Sequence, residues 1–317
     1  MMGIGLIGLG RHGMRYASHL LAGDMDARLV AASRRDAAQG AQFARTHGVR
    51  FHARWADLIA DPGVDAVVVV TPPSLAKDIC LAAVSARKPM LLEKPLARTA
   101  HEARVMVEAA EGAGVPIMTA QTLRFDAAVL ALKAARARVG PFQYLALTNR
   151  VEPLPSVTEH EEDYAGRGVL LEIGIHLLDL VRFLTDEEVV EVRCELERQP
   201  EIRALVSLRT ANGHAALVDV SRVTGGRVSR AEWVGADGQV LVDWVHHHVR
   251  VVTDRNRVEE WTVPDRPTVV AAVEAFVAAL RSGAPMPITG RDGLSAVELA
   301  DACYESAAAG KPVRLKS

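Results

Sequence analysis

The chain has 317 residues, 49% hydrophobic and 24% charged, enough to bury one large core or two modest ones. A formal net charge of -2 and the lack of any basic or aromatic-rich run exclude bulk attraction to nucleic acid or an anionic membrane. Three scattered cysteines exclude a disulfide framework; with no signal core and no membrane-length apolar run, they predict a cytoplasmic protein without a membrane partner.

From Met2 to about Thr119, short apolar runs alternate with helical stretches. Gly3–Ile7, Arg28–Ala32, Ala66–Val70, Pro89–Leu92 and Pro116–Thr119 are nearly continuous in Val, Ile and Leu, which predicts strands buried on both faces. Arg11–Ala22, Asp36–His47, Leu75–Ala86 and Thr99–Gly112 carry apolar residues at helical spacing. Such alternation implies right-handed crossovers and a parallel sheet. Thr99 is placed to cap its helix, with Glu102 completing a capping box. A helix follows from about Phe125 and stops at Val139-Gly140-Pro141.

The rhythm then changes, which puts a domain boundary near residue 122. Phe142–Arg150, Val189–Arg198, Arg203–Thr210, His214–Ser221, Arg230–Val234, Val240–Trp244, Val249–Thr253 and Val258–Val263 alternate or run β-branched, with turn signals at Asn212-Gly213 and Asp237-Gly238. That pattern predicts a large, open, mostly antiparallel sheet with one solvated face. Gly168–Leu184 interrupts it as a helix, and Val269–Arg281 and Asp292–Ala309 close the chain as helices. His246-His247-His248 falls in a strand pattern, where successive side chains face opposite ways, so it predicts a sheet surface or interface feature rather than a metal cluster.

Gly8-Leu9-Gly10-Arg11-His12-Gly13 follows a predicted strand and opens a predicted helix, the context a dinucleotide fingerprint requires. The first glycine makes the turn, the second lets backbone approach the pyrophosphate, and the third lets helix pack on sheet. An NAD site would end the second strand with Asp or Glu, to hold the ribose diol. Here the sequence is Ala32-Ser33-Arg34-Arg35, a hydroxyl and two guanidiniums where a 2′-phosphate would sit. NADP(H) is therefore favoured over NAD(H). The alternative is that the arginines are solvated and Asp36 holds the ribose.

Leu91-Leu92-Glu93-Lys94-Pro95 puts an ammonium, which can move a proton, at a strand's carboxyl end in a chain that mostly uses arginine. Pro95 lacks an amide hydrogen and restrains the loop presenting Lys94. Farther on, Glu172, His176 and Asp179 are spaced by four and three, so they share one face of a largely apolar helix. Polar groups there are costly unless paired, which suggests a cleft. A structural His bridging two carboxylates is the plainer alternative, and Glu-x-x-x-His as a zinc site lacks the further ligands it would need.

With Gly8–Gly13, Thr71-Pro72-Pro73, Glu93-Lys94-Pro95, Arg124-Phe125 and Glu172-x-Gly174-x-His176-x-x-Asp179 in order, the chain resembles the glucose–fructose oxidoreductase/inositol dehydrogenase (GFO/IDH/MocA) family over nearly its whole length. The resemblance implies an α/β fold. Residues 1–121 would form a Rossmann domain with a doubly wound parallel sheet, and residues 122–317 an α+β domain for substrate binding and oligomerisation. The final helix could pack back on the first domain, and the open sheet face could build a homodimer or homotetramer. It also implies hydride transfer between a nicotinamide cofactor and a secondary alcohol of a sugar, cyclitol or related polyol. Lys94 matches the family's active-site lysine and His176 its proton-transfer histidine, while Thr71, Pro72 and Pro73 fall on the cofactor side. Glu172 stands where many members have Asp, Ala76 where His is common, and Gly166-Arg167-Gly168 replaces a more glycine-rich run.

The predicted mechanism has His176 as general base and Glu172 stabilising the imidazolium. Lys94 donates a hydrogen bond to the reacting oxygen, and Glu93 orients Lys94 or meets the ribose. Arg124 and Asp179 are candidates for substrate contact. Alternatives are a keto-sugar or dihydrodiol NADPH reductase, or an NADP-sensing regulator that would have no use for a proton relay. The walls of the pocket are expected from Val151–Arg167, whose stretch Glu159-His160-Glu161-Glu162-Asp163 is best read as solvated.

Overall fold

A computed structural model describes residues 1–23, 25–153, 163–198, 200–255 and 257–315. The chain forms two compact units, Met1–Gln121 with Val269–Leu294, and Thr122–Thr268 with Ser295–Ser317.

In the first unit, β1 (Met2–Ile7), β2 (Ala27–Ser33), β3 (Arg50–His52), β4 (Ala66–Val69), β5 (Met90–Glu93) and β6 (Ile117–Ala120) make a parallel sheet ordered β3-β2-β1-β4-β5-β6. β1, β4, β5 and β6 are almost wholly buried, as their apolar runs require. Around them run α1 (Arg11–Ala22), α2 (Ala37–His47), α3 (Trp55–Ala60), α4 (Pro73–Ser85) and α5 (Ala100–Ala113). Strand order reverses between β1 and β4, and this switch point opens a crevice at the strands' carboxyl ends.

Two elements differ from the sequence reading because they are too short to show a period. β3 and α3 are held by side chains instead: Asp61 accepts Arg50 Nε at 2.6 Å, His52 Nε2 at 2.9 Å and the Gly63 amide at 2.8 Å. At α5, Thr99 Oγ1 accepts the Glu102 amide at 3.2 Å, but Glu102 turns back to the amide and guanidinium of Arg98. The capping box is thus only half formed.

The second unit contains a 3₁₀ turn (Thr122–Phe125), α6 (Ala127–Ala135), a π-turn (Leu170–Gly174), α7 (Ile175–Thr185) and a nine-stranded sheet. Its strands are β7 (Phe142–Arg150), β8 (Val189–Glu197), β9 (Arg203–Thr210), β10 (Ala215–Ser221), β11 (Val228–Gly235), β12 (Gly238–Asp243), β13 (His248–Thr253), β14 (Arg257–Thr262) and β15 (Val313–Arg314). Their order is β14-β13-β12-β11-β7-β10-β9-β8-β15, antiparallel throughout except for β7 against β10. In β9 exposed and buried residues alternate strictly, so one face is core and the other meets solvent. On the core face α7 lies against β7 and β10, and α6 against β12 and β13. Two further helices are α8 (Thr268–Ser282) and α9 (Gly290–Ala309).

The histidine triplet is not in a strand as expected. His246 and His247 occupy the turn between β12 and β13, and His248 opens β13. His247 has φ 54, left-handed backbone that a strand does not contain. Each ring faces a different carboxylate, Asp243 at 2.9 Å, Asp265 at 3.5 Å and Glu260 at 3.7 Å. Among the described residues, no three His, Cys, Asp or Glu side chains group as a metal site would require, and no helix is long and apolar enough to cross a membrane.

Candidate active site

The three glycines after β1 each have a separate spatial reason. Gly8 has φ +104, and a Cβ there would lie 2.2 Å from the Val70 carbonyl oxygen. A Cβ on Gly13 would lie 1.9 Å from the Gly8 carbonyl oxygen, so only glycine lets α1 close on the loop. A Cβ on Gly10 would meet no protein atom within 4 Å. Gly10 is also the N-cap of α1, which has no side-chain cap and no acidic residue in its first turn. Its leading amides are therefore directed at a space where backbone alone can meet an anion. A dinucleotide pyrophosphate fits these residues. Arg11 and His12 begin the helix, both exposed.

Next to this loop, Ser33 ends β2, 3% exposed, and its carbonyl accepts the Gly8 amide at 2.9 Å. Arg34 and Arg35 follow, half-buried and exposed. Asp36 is occupied locally, since its Oδ1 accepts the Gln39 amide at 2.9 Å and caps α2.

At the end of β5, Glu93 gathers the loop and the first helix. Its carboxylate accepts His12 Nε2 at 2.7 Å, the Tyr16 hydroxyl at 2.5 Å and the Lys94 amide at 3.0 Å. Burial acts to raise the Glu93 pKa, but the His12 bond and charge, the Lys94 charge and the Tyr16 bond prevail, and it stands below the usual carboxylate range. Burial, then the Glu93 charge, pushes the Tyr16 phenol well up. His12, expected on the cofactor, thus has its ring on Glu93. Tyr16 was not legible in the motif; its signal was an aromatic one helical turn after His12, on the same face.

Lys94 is half-buried and joined to Pro95 by a cis peptide bond. Val69 pairs with Leu92, and Leu92 with Thr119. Beyond these pairs, Thr71, Lys94 and Gln121 follow the carboxyl ends of β4, β5 and β6. Thr71 Oγ1 and Gln121 Oε1 are buried with no hydrogen-bond partner among the described residues. Pro72 and Pro73 start α4 and leave the helix no first amide to satisfy.

In the second unit the expected helix is real but begins with the π-turn, which holds Glu172, before α7 carries His176 and Asp179. Arg222, absent from the sequence reading, grips the Glu172 carboxylate with a guanidinium fork, Nε to Oε2 at 2.9 Å and Nη2 to Oε1 at 2.5 Å. Arg124 and Asp179 form a second fork at 2.7 and 2.6 Å, 9% and 1% exposed. His176 is half-buried. A cavity of about 500 Å³ beside this helix is lined by Tyr164, Arg167, Glu172, Glu201 and Arg222, among others. Of the charged stretch expected near it, Glu159-His160-Glu161-Glu162 lies outside the described residues.

Residues 2–121 match the family described as oxidoreductase family, NAD-binding Rossmann fold, and residues 158–315 match its C-terminal alpha/beta domain. The chain is 29% identical to a myo-inositol 2-dehydrogenase of Thermotoga maritima, over 99% of each chain. It is 26% identical to a scyllo-inositol 2-dehydrogenase (NAD(+)) of Bacillus subtilis strain 168, over 98% of this chain and 95% of that one. A solved structure of a putative myo-inositol dehydrogenase from Sinorhizobium meliloti 1021 superimposes with a TM-score of 0.86 at 27% identity, over 100% of both chains. The chain belongs to the GFO/IDH/MocA family of oxidoreductases.

Proposed function

We propose that this protein is a dehydrogenase that transfers a hydride between a secondary alcohol of a sugar, cyclitol or related polyol and NADP. The observation that carries this is Lys94, which follows β5 at the carboxyl edge of the parallel sheet, beside the Glu93–His12–Tyr16 cluster that ties this strand end to the first helix. A bound nicotinamide supplies the hydride acceptor. The remaining chemistry falls to side chains. Lys94 donates a hydrogen bond to the alcohol oxygen as negative charge develops there. His176 accepts the hydroxyl proton as general base, an imidazole being suited to that exchange near neutral pH. Glu172 stabilises the imidazolium that forms, its carboxylate fixed by Arg222. The buried Arg124–Asp179 fork is assigned to holding the 3₁₀ turn against α7 rather than to meeting the substrate.

The preference for NADP rests on Ser33, Arg34 and Arg35 at the ribose end of β2, and on the use of Asp36 as a helix cap. The solvated face of the second sheet carries Tyr144, Leu205 and Leu217 at 38%, 37% and 49% exposure, and we assign it to self-association as a homodimer or homotetramer. The deciding experiment is a screen of sugars and cyclitols with both cofactors, run beside Lys94→Met. Turnover of a polyol by the wild type, lost in Lys94→Met with NADPH affinity kept, is expected. Wild-type kcat in Lys94→Met overturns the assignment.

A further inference from the structure

The helix that carries Glu172 and His176 starts on a buried carboxylate that the mechanism above does not use. Glu201 lies between β8 and β9 and is 2% exposed. Its Oε2 accepts the Gly168 amide at 2.9 Å, and its Oε1 accepts the Leu170 amide at 3.0 Å and the Tyr304 hydroxyl at 2.6 Å. Its backbone carbonyl accepts the Val169 amide at 2.9 Å. Consecutive amides of residues 168 to 170 thus all end on one residue. The approach is so close that a Cβ on Gly168 would lie 2.1 Å from the Glu201 carbonyl oxygen. Tyr304 is itself braced, with the Arg167 guanidinium 4.5 Å over its ring and paired to Asp301 at 2.5 Å.

The next residue supplies a second hold. The Ile202 carbonyl accepts the Arg222 amide at 2.8 Å, and Arg222 grips the Glu172 carboxylate. The Gly168 carbonyl meanwhile accepts the Glu172 amide at 3.0 Å. Residues 201 and 202 therefore fix Glu172 twice, at its backbone through Gly168 and at its carboxylate through Arg222. The reason such a hold is needed is local. Glu172 sits in a π-turn, a geometry that short sequences do not favour by themselves and that recurs at functional sites. Burying a carboxylate is costly, and here the cost is offset by two amides and a phenol.

We propose that Glu201 is a positioning residue for the reaction: with Tyr304 behind it and Arg222 beside it, it sets where Glu172 stands and, through the continuous helix, where His176 stands. This rests on the reading of Glu172 and His176 as the proton-handling pair. The test uses the full-length enzyme with NADP and a panel of myo-inositol, scyllo-inositol and D-glucose, the best substrate then carrying deuterium on the reacting carbon. Glu201→Gln puts an NH2 group where one amide now finds an acceptor. It is expected to lower kcat about tenfold or more. The primary deuterium isotope effect should rise as the hydride step becomes limiting, while NADPH affinity stays within about twofold, its loop lying in the other unit. A smaller folded fraction lowers kcat without changing the isotope effect, so that rise separates misplacement from unfolding.

Tyr304→Phe and Glu201→Asp should move both quantities the same way by less, and they decide the matter if Glu201→Gln does not fold. Unchanged kcat, or lowered kcat with an unchanged isotope effect, overturns the proposal. If the wild type turns over no member of the panel, or Lys94→Met keeps wild-type kcat, the reading of the site falls first and takes this proposal with it. An active wild type, an inactive Lys94→Met and an unaffected Glu201→Gln sink the Glu201 role alone.

Discussion

Gly10→Ala should separate cofactor binding from folding. Gly10 has φ -74 and ψ -175, extended backbone open to any residue, and its Cβ would meet nothing within 4 Å. Alanine is a poorer N-cap than glycine by roughly 0.5–1 kcal/mol. It also restricts the unfolded chain, which returns about 0.4–1 kcal/mol. The two nearly cancel, so the melting temperature should move by no more than about 2–4 °C. A methyl group in the path of the pyrophosphate, however, pushes a charged oxygen off a helix amide. That loses about 1.5–3 kcal/mol for one hydrogen bond to a charged group, or roughly 10- to 150-fold in Kd. Gly13→Ala is the control of opposite character: its Cβ would sit 1.9 Å from the Gly8 carbonyl oxygen, backbone that cannot swing aside. It should destabilise by about 3 kcal/mol, because α1 must lift from the loop. NADPH fluorescence titration and thermal melting of both variants give the comparison. Wild-type affinity for NADPH and NADH in Gly10→Ala would remove the pyrophosphate from this loop and refute the reasoning.

Replacing both Arg34 and Arg35 by Ala should weaken NADPH about tenfold or more and leave NADH nearly unchanged, since only the 2′-phosphate loses its partners; equal losses for both cofactors would count against the NADP reading. Lys94→Met should lose about a hundred- to a thousandfold in kcat, the scale of one missing oxyanion donor, with NADPH affinity retained in the same titration. Glu93 gives a pH signature. Its folded pKa lies below the ordinary 4.5, so the stability it contributes is fully present above 4.5 and is lost as pH falls through the lower folded value. Melting temperatures of wild type and Glu93→Gln should therefore converge in acid, below about pH 4.5, and differ most near neutrality. A constant difference across that window would mean that the His12 and Tyr16 contacts add nothing to the charged form.

Periodicity within a dozen residues settled which stretches became strands and helices. It set the parallel unit apart from the alternating one, and the spacing of the glycines anticipated the turn at Gly8 and the close packing at Gly13. These are local matters, fixed by backbone sterics and by which face of an element must be dry. β3, α3 and the π-turn escaped because three to six residues are too few to display a period. The strand pattern across the histidine triplet misled because residues flanking a tight turn alternate as a strand does.

What the sequence alone determined is therefore the series of elements and the residue types at their ends: a glycine loop, a lysine after β5, and a carboxylate and an imidazole on one helix. Only the tertiary structure decided who holds whom. Glu93 meets Tyr16 across 77 residues, Arg222 meets Glu172 across 50, and Glu201 meets Leu170 across 31. It also decided that β7 and β10 run parallel between antiparallel neighbours. Such pairings depend on strand order and on the register of one element against another. Many partners separated by such lengths of chain are chemically equivalent until the packed core leaves room for one.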